Sequence, residues 1–204
     1  LDVRSTSFYA NCAVNVDPGD GTGQGGAIYV GIGLDDDLRY DLHVEGSRFE
    51  SNGADADGGA IFAAGVTVRA PLSLHRNTFV DNEAYDQYGG AIHAQNITSV
   101  DIQASSFSGN RAHQNGGAVD LCAAYRSVIA NSLFVDNHAD LAGGAVGVFC
   151  GSDLSTNIYS NRFLRNSAGT WGGGVNTGHA NNVTMHGNLF DRNTAPRGGG
   201  ATLW

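Results

Sequence analysis

The residues in this sequence that could do acid–base chemistry are carboxylates on strand-like stretches. Polysaccharide cleavage uses either two carboxylates flanking the glycosidic bond or a base beside a cationic group. Asp101, Asp120 and Glu45 lie in alternating apolar stretches, and stacked strands would turn all three outward. No repeat carries a distinctive acid pair, and Asp81 and Asp136 fall at predicted turns, where aspartate is common.

Histidine and arginine add little to this chemistry. His75 and His186 occupy equivalent positions, but four repeats separate them, roughly 19 Å at the spacing of stacked strands, which is too far to bind one metal ion. Arg162, Arg165 and Arg192 could hold an acidic sugar, although exposed arginine is ordinary on a soluble surface. The sequence therefore predicts a protein that is not an enzyme and has no catalytic residue.

Calcium is the one cofactor that the sequence suggests. Asp17 and Asp20 lie in an insertion of the first repeat, and Asp35, Asp36 and Asp37 form a run shortly after it. Clustered carboxylates and turn carbonyls suit Ca²⁺, which takes about six to eight oxygen ligands. The spacing of a calcium-binding loop is absent, so a solvated acidic turn is the alternative.

The three cysteines indicate an oxidising compartment. Cys122 and Cys150 are 28 residues apart, close to one repeat, so stacking would bring them near enough for a disulfide. Two free buried thiols are the alternative, and the spacing does not match a zinc site. Cys12 occupies a variable position that we expect to face solvent, where it could link to another chain.

Two sequons could accept N-linked glycans. They are Asn96-Ile97-Thr98 and Asn182-Val183-Thr184, both at predicted corners. Such short motifs arise often by chance in an asparagine-rich chain, so they remain candidates only.

A sevenfold repeat must position all of these residues. Each unit contains Phe-x-x-Asn-x-Ala followed by a Gly-Gly pair, and successive Phe residues are 41, 30, 28, 27, 29 and 27 apart. A fixed period near 27 residues is typical of a solenoid. The Phe residues are Phe8, Phe49, Phe79, Phe107, Phe134, Phe163 and Phe190; the Asn residues are Asn11, Asn52, Asn82, Asn110, Asn137, Asn166 and Asn193; the glycine pairs begin at Gly25, Gly58, Gly89, Gly116, Gly143, Gly172 and Gly199.

Short alternating stretches such as Leu72-Ser73-Leu74 and Val100-Asp101-Ile102 predict strands, and no window has the 3.6-residue period of a helix. We therefore predict an all-β, right-handed parallel β-helix of about seven coils with three short strands per coil, spanning residues 1–204 as one domain. Stacking would build an aromatic column inside and an asparagine ladder at a corner, with asparagine in the left-handed backbone region. A second, irregular polar column would include Asn77, Asn161 and Asn188, with Ser106 one position out of step.

These motifs resemble the repeat of the chlamydial polymorphic outer membrane proteins. Gly25-Gly26-Ala27-Ile28, Gly58-Gly59-Ala60-Ile61 and Gly89-Gly90-Ala91-Ile92 match its Gly-Gly-Ala-Ile motif, and Gly116 and Gly143 open versions with valine. Gly172-Gly173-Gly174-Val175 and the seventh unit depart mildly. The resemblance implies a secreted β-helix that is displayed on a cell surface and takes part in adhesion. The membrane-spanning barrel of that family has no counterpart among these repeats, so we expect no direct membrane insertion.

Charge and composition exclude some classes of partner. The net charge is −9, and all 11 basic residues are arginine, so a basic stripe for nucleic acid is not expected. The first and last repeats lack polar caps, which predicts either a segment of a longer chain or a unit that stacks end to end into a fibre. The sequence predicts an extracellular, structural or adhesive solenoid. Its partners would be further copies, a host or neighbouring cell surface, or a glycan; the alternative is a β-helix that binds or cleaves carbohydrate.

Overall fold

The chain forms four parallel β-sheets that wind into one stack. The structure is a computed structural model that describes residues 1–15, 22–31, 41–65, 71–178 and 180–203. Strands that pair within a sheet come from successive repeats, and three of the sheets take one strand from each of the seven repeats. The prediction of an all-β parallel β-helix is confirmed. In the described part of the chain there is no helix long and apolar enough to cross a membrane.

The prediction of three strands per coil omitted a fourth, which has only two residues and forms sheet III. Sheet I contains β1 Asp2–Arg4, β5 Leu42–Glu45, β9 Pro71–His75, β13 Ser99–Gln103, β17 Arg126–Ala130, β21 Gly151–Tyr159 and β25 Ala180–His186. Sheet II contains β2 Ser7–Tyr9, β6 Arg48–Glu50, β10 Thr78–Val80, β14 Ser106–Ser108, β18 Leu133–Val135, β22 Arg162–Leu164 and β26 Leu189–Asp191. Sheet III contains β3 Cys12–Ala13, β7 Gly53–Ala54, β11 Glu83–Ala84, β15 Arg111–Ala112, β19 His138–Ala139 and β23 Ser167–Ala168. Sheet IV contains β4 Ile28–Gly31, β8 Ile61–Ala64, β12 Ile92–Gln95, β16 Val119–Cys122, β20 Val146–Phe149, β24 Val175–Thr177 and β27 Ala201–Leu203.

The repeated phenylalanines stack in one interior column. Each pairs in register with the phenylalanine of the next coil, and neighbouring ring centroids are 4.7–4.9 Å apart with interplanar angles of 2–12°. The five central rings, from Phe49 to Phe163, are fully buried. Burial of each ring contributes about 1.5–3 kcal/mol, and stacking adds about 0.5–1.5 kcal/mol.

The repeated asparagines form a ladder in which every polar atom is used. Asn110 Nδ2 donates to Asn137 Oδ1 at 2.9 Å and to the carbonyl oxygen of Phe79 at 3.2 Å. Asn110 Oδ1 accepts from the backbone N–H and the side-chain amide of Asn82 at 3.0 and 2.9 Å. The same pattern repeats from coil to coil, so the buried amides incur no free-energy penalty for unsatisfied hydrogen-bonding groups.

A second polar ladder runs along the corner between sheets I and II. Its side-chain oxygens each accept the backbone N–H of the preceding coil, at 2.9–3.1 Å. Where this column lacks asparagine it has serine, whose hydroxyl oxygen accepts the equivalent backbone N–H of the preceding coil. The accepting residues are Ser47, Asn77, Ser105, Ser132, Asn161 and Asn188.

The left-handed backbone lies one residue earlier than predicted. The residues before the ladder asparagines have positive φ, for example 50° at Asp81, 66° at Gly109 and 54° at Arg165. That residue makes the corner, and the asparagine after it turns its amide into the interior.

Glycine is required at the two positions of each pair for different physical reasons. Gly89 has φ +66°, while Gly90 is packed so closely that a Cβ there would collide with the carbonyl oxygen of Gly117 in the next coil. The seventh pair begins at Gly198, not at Gly199, because Ala201 pairs with Val175 and φ at Gly198 is +63°. Three consecutive glycines made this register ambiguous in the sequence.

Candidate functional site

On sheet I, an outward cluster of serine, histidine and aspartate has the wrong geometry for a catalytic triad. Ser73 Oγ and Asp101 Oδ2 both approach the same atom, His75 Nε2, at 3.4 and 3.1 Å. A nucleophile and an orienting acid must contact opposite nitrogens of the imidazole. The cluster is therefore a polar surface contact.

On sheet III, a second cluster places serine and aspartate on opposite nitrogens of one histidine, with the two nitrogens exchanged relative to a catalytic triad, and it lacks an oxyanion site. His138 Nδ1 lies 2.8 Å from Ser167 Oγ, and Nε2 lies 2.9 Å from Asp140 Oδ1. The backbone N–H groups of Ser167, Ala168 and Gly169 all donate to carbonyls of other coils, so none remains for a developing oxyanion. The cluster is also open to solvent, with His138 40% exposed.

The outer face of sheet IV is different because corner residues of the same coils cover it. Along each strand, one residue packs in the core and the next points away, as Ile92 and His93 do. The away-facing residues form one wall of a groove, and the residues before the Gly-Gly pairs form the other; we call it the corner groove. The sheet wall contains Tyr29, Phe62, His93, Asp120, Gly147, Asn176 and Thr202, and the corner wall contains Gln24, Asp57, Tyr88, Asn115, Ala142, Trp171 and Arg197.

At the middle of the corner groove, His93 and Asp120 form a buried pair. Their Nδ1 and Oδ2 atoms are 3.1 Å apart, and each residue is 2% exposed. The approach is not aligned as a hydrogen bond, so His93 Nδ1 and Asp120 Oδ1 both lack a hydrogen-bond partner among the described residues, as does Asn115 Oδ1. Buried polar atoms are normally satisfied, so this cluster is unusual.

The protonation of the pair reflects its buried, acidic surroundings. Burial alone would lower the pKa of His93, but the contact with Asp120 and the charges of Asp120 and Asp57 outweigh it and raise the pKa. Burial raises the pKa of Asp120, and contact with His93 offsets that effect only in part. The two shifts therefore have different main causes, the acidic neighbours for His93 and burial for Asp120.

These residues line a pocket of about 490 Å³, within the size range of small-molecule sites. Tyr88 stacks on the His93 ring at 5.5 Å, and Phe149 lines the far side. Asp57 accepts from the Tyr88 backbone N–H and from the Gln24 side chain, each at 3.1 Å, so both of its oxygens have structural partners.

The chemistry of this pocket fits binding better than cleavage. The described residues that line it include no serine or threonine, and its two cysteines, Cys122 and Cys150, are joined to each other in a disulfide. Within the described ranges there is no group of three or more His, Cys, Asp or Glu side chains that could hold a metal ion. What remains is a negatively charged cavity with aromatic sides and unused acceptors.

Comparison with known proteins assigns the family. A family model described as the right-handed β-helix region matches residues 30–204. The chain belongs to the right-handed β-helix family. This β-helix is also 34% identical, over 141 residues, to the probable outer membrane protein pmp21 of Chlamydia pneumoniae, which confirms the resemblance in the repeats. The match covers 63% of this chain and 8% of the relative's length. No solved structure matches the chain.

One predicted site residue is placed differently in this β-helix. Asp120 was expected to face solvent, but it is buried in the corner groove because the Gly-Gly corners fold over the outer face of sheet IV. Asp101 and Glu45 lie on sheet I, which has no such cover, and contact His75 and Arg4 respectively.

The remaining candidates fall in three groups. Asp17, Asp20, Asp35, Asp36 and Asp37, the calcium candidates, lie outside the described residues.

The disulfide that joins Cys122 to Cys150 brings their Cα atoms to 4.9 Å, and Cys12 is exposed and free.

Of the two sequon asparagines, Asn96 lies at an exposed corner, whereas Asn182 is exposed within strand β25 and not at the predicted corner. The strand continues through it because it pairs with Ser155 of β21.

Sequence reasoning missed His93 and Asp57, and it assigned Asp120 to the wrong environment. The sequence did contain a pattern that indicates the His93–Asp120 pair. In the first five coils the groove residue of the sheet wall directly follows the last residue of the Gly-Gly-Ala-Ile or Gly-Gly-Ala-Val motif, so aligning the repeats places His93 next to Asp120.

Proposed function

We propose that this β-helix is a non-enzymatic module that displays binding surfaces on a cell surface and contributes to adhesion. The observation that carries the proposal is a difference in sequence variation between inward and outward positions. The inward columns repeat the same residue types in every coil, whereas the outward columns change residue at each coil. A rod of this kind presents different side chains on a constant frame.

The similarity to an outer membrane protein supports location at the cell surface. That relative is much longer than this chain, so the activity of the whole protein is part of the proposal. Antibody labelling of intact cells that express the protein should detect it without permeabilisation.

A bead assay tests adhesion. Beads coated with the wild-type protein should bind cultured cells, and beads coated with Phe107→Ala should bind only below the melting temperature of that variant. The two folded proteins present the same surface, since Phe107 is fully buried. Wild-type beads that bind no better than blocked beads, or an unfolded variant that binds equally well, would contradict the proposal.

End-to-end association is a further part of the proposal for partners. Each coil pairs in parallel with the next, so a second copy could continue the same backbone pairing. Sedimentation velocity of the 204-residue chain should show mass increasing with concentration. A monomer at every concentration would remove fibre formation from the account.

Carbohydrate binding or cleavage is the second candidate, and the corner groove is the observation that favours it. A screen of oligosaccharides with detection of new reducing ends separates the two activities. We expect no new reducing ends, because Asp57 is held by structural hydrogen bonds and Asp120 is buried against His93. Release of sugar that depends on Asp120 would show an enzyme.

A further inference from the structure

We propose that the pocket around His93 and Asp120 binds a primary ammonium group, from a free alkylamine or from the side chain of a lysine. The inference goes beyond adhesion and does not depend on it, because it concerns one cavity and one ligand chemistry.

Two of the unpartnered atoms of the pocket are oxygen acceptors. Asp120 Oδ1 and Asn115 Oδ1 have no hydrogen-bond partner in the described part of the chain. Asp120 is 2% exposed and lines the cavity, so bulk water does not solvate its carboxylate freely. An ammonium group carries three N–H donors and no acceptor, so one group could donate to both of these oxygens.

The charge of the pocket selects for a cation. Its lining includes the carboxylates of Asp57 and Asp120 and the imidazole of His93, and no described lining residue is Arg. Even with His93 protonated, the two carboxylates leave one negative charge without a counterion. An anion would be repelled, and a neutral ligand would leave that charge uncompensated in a site of low water content.

The aromatic walls fit the same ligand. Tyr88 and Phe149 line the cavity, and a cation near an aromatic face gains electrostatic attraction. They also provide apolar surface for the alkyl chain that carries the ammonium group. A bare metal ion would gain nothing from these walls, and the described residues provide no group of three ligands for one.

The position of the Asp120 carboxylate depends on Gly147. This residue follows Asp120 in the groove column, and a Cβ at Gly147 would lie 2.6 Å from Asp120 Oδ1 and 2.7 Å from Phe149 Cε2. Its backbone is not left-handed, so alanine is compatible with the local conformation. A side chain at Gly147 would therefore displace the Asp120 carboxylate from its present position.

The test is a calorimetric titration of the intact protein in amine-free phosphate buffer near neutral pH. The probes are n-butylammonium, Nα-acetyl-lysine methylamide and, as the neutral isostere, 1-butanol. We expect n-butylammonium to bind and 1-butanol not to bind. Binding of the lysine probe as well would identify a side chain of a partner as a ligand, whereas binding of n-butylammonium alone would identify a free amine.

Variants assign the binding to this pocket. Asp120→Asn and Gly147→Ala should each weaken binding by about tenfold or more, because one removes the charge of the acceptor and the other displaces the carboxylate. Asp136→Asn is the matched control, since it removes the same charge from an exposed side chain that is 51% accessible, and it should bind as wild type does. Near-ultraviolet circular dichroism checks that each variant is folded.

Equal binding of n-butylammonium and 1-butanol would overturn the proposal, and so would unchanged affinity in Gly147→Ala and Asp120→Asn. The comparison of the two probes on the wild type remains decisive even if Asp120→Asn does not fold. Loss of adhesion in the bead assay with intact amine binding would contradict only the proposed function.

Discussion

The ladder and the corner groove use the same residue type in opposite ways. Asn110 and Asn137 in the ladder are fully buried, and their side-chain amides are fully hydrogen-bonded. Asn176 in the groove is equally buried, yet neither its Nδ2 nor its Oδ1 has a partner among the described residues, and Asn115 Oδ1 also lacks one. Stacking satisfies a buried amide where the neighbouring coils place matching polar groups in register, as asparagine and serine do in the two ladders.

The difference shows how a solenoid separates stability from recognition. Where each coil repeats the last, the polar atoms satisfy one another and the rings stack, so the repeat stabilises the frame. Where the sequence changes at each coil, as from His93 to Asp120 to Gly147, the polar atoms are left for something else to bind. Four predictions test this contrast, beginning with the largest effect.

Phe107→Ala should lower the free energy of unfolding by about 3–5 kcal/mol, because it leaves a cavity between two stacked rings. Tyr125→Ala is the control, since that ring is 44% exposed and should cost about 1 kcal/mol or less. Urea denaturation measures both. Similar losses for the two variants would mean that the column is not the core of the fold.

Asn137→Ala should lower the free energy of unfolding by roughly 2–3 kcal/mol, because it leaves buried hydrogen-bond partners in two adjacent coils unpaired. The matched variant in the groove, Asn115→Ala, should change stability by less than about 0.5 kcal/mol, since the Oδ1 it removes makes no hydrogen bond. Thermal and urea unfolding give both values. The contrast disappears if Asn115→Ala is as damaging as Asn137→Ala.

The groove should also make stability depend on pH. The raised pKa of His93 stabilises the folded state below the ordinary value of 6.5, and this contribution is lost as pH rises through the raised value. The raised pKa of Asp120 acts in the same direction, because its buried carboxyl destabilises the fold once it ionises. The melting temperature of the wild type should therefore fall more steeply with rising pH than that of Asp120→Asn.

Melting curves between about pH 4 and pH 9 measure this difference. Asp136→Asn should follow the wild type, since Asp136 is half-exposed. Parallel pH profiles for the wild type and Asp120→Asn would show that the groove pair does not titrate as described.

Arg165→Gly should have the smallest effect, a change near zero. Arg165 makes a bidentate ion pair with Asp136 at 2.8 Å, but both side chains are about half-exposed, so solvent screening leaves the pair with little effect on stability. Glycine relieves the left-handed backbone at this corner, where φ is 54°, as glycine does at the equivalent Gly109. A loss of several kcal/mol in urea unfolding would mean that surface pairs stabilise the coils.

The frame could be predicted from the sequence because its physics repeats. The spacing of Phe-x-x-Asn fixed the stacking register, and equivalent residues such as Phe79 and Phe107 pair as expected. The left-handed residue was misplaced by one position, because asparagine tolerates that region and Asp81 or Arg165 gives no comparable signal.

The groove could not be predicted in the same way. Alternation along β16 correctly turns Asp120 away from the core, but alternation alone does not reveal that a corner covers that face. The cover comes from Tyr88 and Asn115, whose positions depend on the Gly-Gly bends in three dimensions. Aligning the repeats would have predicted that His93 lies beside Asp120, but it would not have predicted that the two side chains are buried.

Hydrogen exchange of the asparagine side-chain amides, followed by NMR, tests this division most directly. If translation by one coil closes each ladder bond, the Nδ2 protons of Asn82, Asn110 and Asn137 will exchange only on global opening. The amide of Asn176, equally buried but unbonded, will exchange much faster. Equal exchange rates in the two regions would contradict the account.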